Sequence, residues 1–107
     1  MIKVVHCKKE KFDVYIGRKL GHNLRHFGNP WSHLPHASAI LVDSRETAIE
    51  NYRKWIMMED FLDVEPQRRV WIRKELPNLK GKTLGCYCAP QSCHGDLFEG
   101  FIDKLSA

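Results

Sequence analysis

Short β-branched runs open the chain, and apolar stripes at helical spacing dominate its second half. Ile2-Lys3-Val4-Val5-His6-Cys7 reads as a first strand, followed by the polar turn Lys8-Lys9-Glu10-Lys11. Phe12-Asp13-Val14-Tyr15-Ile16 alternates well enough for a second strand, which Gly17-Arg18 ends. Residues 19–36 show little periodicity and hold Gly21, Gly28, Pro30 and Pro35, with His22, His26, His33 and His36. That is too long for a plain connector in a chain of 107 residues, and it marks a functional loop. Ala39-Ile40-Leu41-Val42 predicts a short strand or an extended approach to a helix.

Helical signals follow. Asp43 stands as an N-cap with Glu46 three residues on, the spacing of a capping box. Ala48, Ile49, Tyr52, Trp55 and Ile56 then recur on one helical face. Glu65-Pro66 begins a second helix, proline being tolerated in a first turn, and Pro77 ends it. The run from Lys82 to Cys88 reads as a buried strand, and Ala89 to Ser92 as a tight turn. A final helix starts near Cys93, with Leu97, Phe98, Phe101, Ile102 and Leu105 as its apolar stripe. This order predicts one α/β domain over residues 1–107, a partly parallel sheet with flanking helices, Rossmann-like in the broad sense. Trp55, Trp71, Met57 and Met58 are expected in helix packing or in a contact between copies of the chain.

Composition changes this picture little: 43% hydrophobic and 28% charged residues are ordinary for a folded soluble protein. No stretch has the apolar length of a membrane span, and the N-terminus enters structure too early for a signal peptide, so a cytoplasmic protein is expected. The net charge of +4 favours anionic partners, nucleotides above nucleic acid, since no long basic block appears. Arg68 and Arg69, like the dispersed lysines, are expected on a solvated surface. Without a secretory signal, the four cysteines point to thiols, metal or catalysis before disulfides.

Chemistry concentrates between Gly85 and Asp96. In open α/β sheets, ligands gather beyond the carboxyl ends of strands, near helix starts whose amides attract anions. A thiol in a first helical turn should ionise readily, which makes Cys93 a candidate nucleophile, with His94 as base and Asp96 to orient it or to cap the helix. Cys86, Cys88, Cys93 and His94 supply four donors of the kind zinc takes, although Cys86 and Cys88 in a straight strand would stand roughly 6–7 Å apart. The plainer alternative makes Cys86 and Cys88 small core residues and the 93–96 group a helix cap. Beyond that segment, Arg18 can fork onto phosphate or carboxylate beside Tyr15 and Gly17. Asn29 could read a base edge or ribose, and Trp31 could stack on a ring or plug the core. Cys88, Pro90, Cys93, His94 and Gly95 complete the expected ligand contacts.

Together the segments Asp13 to Arg18, Gly28 to Trp31, Arg45 to Trp55 and Leu84 to Asp96 resemble a phage and bacterial domain family of unknown function. Its pattern is D-V-Y-I-G-R, G-N-P-F, R-E-x-x-I-x-x-Y-x-x-W and L-G-C-x-C-x-P-x-x-C-H-G-D. Trp31 stands in place of that family's phenylalanine, and Cys7 falls outside the pattern, which argues against a metal site that includes it. A phage setting implies capture of a host nucleotide signal or a part in nucleotide metabolism. The expectation is therefore a binding protein for a small anionic ligand of nucleotide type. An enzyme on such a ligand using Cys93 and His94, and a zinc-stabilised interaction domain, are the alternatives.

Overall fold

In the computed structural model, which describes residues 2–18, 25–35, 39–89 and 91–105, the opening runs become two short strands. β1 (Lys3–His6) and β2 (Val14–Tyr15) lie on either side of Thr83–Cys86, from the far end of the chain. Both pairings are parallel, with His6 opposite Cys86 and Tyr15 opposite Gly85, so all three strands deliver their carboxyl ends to one edge. The last three residues of the central strand are buried, as a parallel strand covered on both faces requires. A second parallel pair joins β3 (Trp31–Ser32) to β4 (Ile40–Leu41). β3 lies in the stretch that reads as irregular, and two residues are too few to show a period. The central strand is accordingly β5. It ends at Cys86, two residues short of the sequence expectation, because the chain bends at Tyr87 and Cys88.

Helices α1 (Arg45–Ile56), α2 (Pro66–Glu75) and α3 (Phe98–Leu105) cover the sheet. Tyr52, Trp55, Ile56, Ile72, Leu76, Leu84 and Phe98 are fully buried between them, which confirms the helical stripes as core faces. The cap of α1 is Ser44 and not Asp43: the Ser44 backbone is extended and its Oγ accepts from the Thr47 N–H at 3.1 Å. α2 starts with Pro66 in its first turn and gives way to a 3₁₀ turn over Leu76–Leu79, which contains Pro77.

The arginine pair in α2 corrects a second expectation. Arg68 and Arg69 are buried, not solvated. Arg68 forks onto Glu65 at 2.9 and 3.1 Å, donates to the carbonyls of His26 and Gly28, and lies over the Trp55 ring. Arg69 donates to the carbonyls of Phe61 and Leu62. Each guanidinium gathers backbone carbonyls that would otherwise be buried without a partner, a need that charge counting cannot reveal. Among the described residues, no helix is long and apolar enough to cross a membrane.

Candidate functional site

Beyond the carboxyl ends of β2 and β5 opens a cleft of about 470 Å³. Its walls bring together residues from four separate segments: Tyr15 to Arg18, Asn29 to Leu34, the first turn of α1, and the stretch from Cys86 to His94. The first two and the last contain the ligand contacts expected from sequence. Pro90, His22 and His36 lie outside the described residues.

Arg18 leaves β2 and reaches across to the next segment. Its Nε donates to the Asn29 carbonyl at 2.8 Å and its Nη2 to the Trp31 carbonyl at 2.6 Å. These bonds use two of the five N–H groups of a guanidinium. Burial lowers its pKa, and the charge of Cys88 opposes that shift. Asn29 is a structural pin: its Oδ1 accepts from the Trp31 N–H and its Nδ2 donates to the Ala48 carbonyl, each at 2.9 Å. Trp31 is 3% exposed and packs against Trp55 and Phe61, so it backs the cleft wall and has no free face for a ligand ring. At Gly17 a β-carbon would stand 2.2 Å from the Tyr15 hydroxyl, so this glycine lets the tyrosine fold back over the chain.

The 93–96 group is built as a cap. Cys93 has extended backbone, and its Sγ accepts from the Gly95 N–H at 3.2 Å. Asp96 reaches back to accept from the Cys93 N–H at 3.1 Å, which completes a capping box before a 3₁₀ turn that runs into α3. His94 turns the other way. Its Nε2 donates to the Ile16 carbonyl at 2.8 Å, which fixes the proton on that nitrogen, and burial pushes its pKa down to about 4. The neighbouring Cys93 and His94 therefore diverge, and Asp96 serves the cap and not the imidazole. A β-carbon on Gly95 would lie 2.4 Å from Ile16 Cδ1, so this glycine seats the helix start against the sheet.

The thiols converge instead with one another. Cys86 and Cys93, both buried, bring their sulfurs to 3.4 Å. The bend after β5 returns Cys88 to this pair. Hydrogen bonds from the Cys86 thiol and then the Cys93 thiol lower the Cys88 pKa strongly; burial opposes them, and the charge of Arg45 adds to the lowering. Cys93 moves the opposite way, raised by its hydrogen bonds to Cys86 and Cys88 and by burial. With Nε2 of His94 committed to Ile16, the four donors suggested for zinc do not share a centre. Among the described residues no group of three or more His, Cys, Asp or Glu is placed to hold a metal ion.

Two cleft residues escape a reading of the site from the sequence alone. Arg45 opens α1 and donates from Nη1 to the Ser92 carbonyl at 3.1 Å, tying the turn after β5 to the helix. A signal existed, since an arginine in the first helical turn opposes the helix dipole and invites another explanation. Tyr87, 57% exposed, meets His6 and Tyr15 edge-on at the rim. In a continued strand it would simply be a surface residue; the bend at Cys88 makes it a wall of the cleft.

The profile of a domain of unknown function (DUF4326) matches residues 3–104. An uncharacterized 12.4 kDa protein in the nrdA-td intergenic region of Enterobacteria phage T4 is 31% identical over 105 residues, which cover 98% of this chain and 81% of that protein. No solved structure matches the chain.

Proposed function

The chain belongs to the DUF4326 family, and from the chemistry of its cleft we propose that it binds a small anionic ligand, a nucleotide being the class that suits it best. One observation carries this reading: two arginines from distant segments, Arg18 and Arg45, line the same cleft at the carboxyl ends of parallel strands. Cations held by backbone carbonyls, beside the first turn of a twelve-residue helix, favour phosphate or carboxylate. The exposed ring of Tyr87 at the rim offers a face for a base, and the volume of about 470 Å³ lies in the range of small-molecule sites. The phage relative supports work in the cytoplasm of an infected host.

An enzyme with Cys93 as nucleophile and His94 as base is the weaker reading. The sulfur is buried, its pKa is raised, and the imidazole is bonded to Ile16.

Isothermal titration of the chain against nucleoside monophosphates and diphosphates and inorganic pyrophosphate tests the proposal. At least one should bind, and Arg45→Ala should weaken it by about 10- to 100-fold, the worth of a charged hydrogen bond, with an unchanged melting temperature. Silence across the whole panel rejects anion binding.

A further inference from the structure

The three thiols of the cleft differ in access and setting. Cys86 and Cys93 are buried with their sulfurs 3.4 Å apart, whereas Cys88 is half-buried and lines the cleft in contact with both. Cys93 also accepts from the Gly95 N–H, and Arg45 adds a positive charge on the cleft side of Cys88. A thiolate that accepts hydrogen bonds from two neighbouring thiols already has its partner for disulfide formation in place.

We propose that Cys88 and Cys93 form a dithiol centre in the cleft, with Cys88 attacking and Cys93 resolving, which a peroxide oxidises to an intramolecular disulfide. The Cys88 thiolate attacks one peroxide oxygen; the O–O bond breaks and hydroxide leaves, taking a proton to become water. Cys88 is then a sulfenic acid. The Cys93 sulfur attacks it, the S–S bond forms, the S–O bond breaks, and the hydroxyl leaves with the Cys93 proton as a second water. Two thiols have lost two electrons and one peroxide has become two waters. Cys93 is the resolving partner because a Cys86–Cys88 bond would span only Tyr87, a tight ring against disulfide geometry. Closure to Cys93 spans the turn after β5. It also takes the Cys93 sulfur from the Gly95 N–H, so oxidation reaches the start of the last helical segment.

The test uses the whole chain carrying Cys7→Ser, which removes the fourth thiol. Treatment with one equivalent of hydrogen peroxide in the presence of dimedone should give a loss of two hydrogens by intact mass, a Cys88–Cys93 link by fragmentation, and no dimedone adduct. Cys93→Ser, or Cys93→Ala should the serine variant misfold, should instead trap dimedone on Cys88. Cys88→Ser should slow oxidation by about tenfold or more. In the unmutated chain, iodoacetamide at mildly acidic pH should label Cys88 before Cys7. A Cys86–Cys93 or Cys86–Cys88 link, oxidation of Cys88→Ser at the parent rate, or first labelling at Cys7 overturns the proposal. The proposed anion binding neither requires nor predicts any of these results.

Discussion

A histidine beside a cysteine suggests an acid–base pair, but His94 is folded into the core with its ring against Tyr52 and its Nε2 on Ile16. Spacing could place the residue near the site; only the path of the chain decides which way the ring turns. Its burial has a consequence for stability. The unfolded histidine takes up a proton below about pH 6.5, the folded one only below about 4. Between those values the unfolded state binds more protons, so stability rises with pH. The contribution is complete above pH 6.5 and is lost as the pH falls toward 4, about 3 kcal/mol in all. His94→Gln keeps an N–H for the Ile16 carbonyl and removes the titration. Urea midpoints followed from pH 7.5 to 4 should fall more steeply in the wild type; equal slopes would place the acid sensitivity elsewhere. Asn29 gives the same lesson from the polar side. A residue suited to reading a ligand is occupied by Trp31 and Ala48.

Helix ends and strand ends are where the elements depart from pattern. Asp43 and Ser44 are both good caps, and both have polar residues ahead of them. The competition is settled by the extended backbone of Ser44, which aims its Oγ at Thr47. Ser44→Ala should cost about 1 kcal/mol in denaturant unfolding, whereas Asp43→Ala should stay within about 0.5 kcal/mol. The reverse order would move the helix start by one residue. At β5 the apolar run continues to Cys88, yet the ladder stops where its partners stop: β1 ends at His6 and β2 at Tyr15, opposite Cys86 and Gly85. The bend that follows creates both the thiol cluster and the exposed Tyr87.

Across the molecule, buried guanidinium groups join segments that hydrophobic packing alone would leave loose. Arg68 links α2 to the segment before the Gly28-Asn29 turn and lies 5.1 Å from the centre of the Trp55 ring. Arg18 holds the other side of that turn. The cleft wall is thus fastened from behind and from within. Arg68→Met fills the space but leaves the His26 and Gly28 carbonyls unpartnered and the Glu65 charge unpaired, a cost of about 3 kcal/mol. Arg68→Lys should recover little of it, since an ammonium cannot reproduce the fork. Thermal and urea unfolding of the two variants checks this; wild-type stability in Arg68→Lys would reduce the role of this arginine to charge alone.

Local spacing was enough to establish the α/β order, the core faces of the helices, and the concentration of chemistry between Gly85 and Asp96, because periodicity and helix-start residues are properties of neighbours in the chain. The same local information could not distribute roles within that chemistry. Whether Cys93 or Cys88 is the accessible thiol depends on a bend imposed by the length of β1 and β2. Whether Asn29, Trp31, Arg68 and His94 face a ligand or the core depends on which carbonyls and rings arrive from elsewhere. Those partners lie tens of residues away, and only the closed fold brings them into contact.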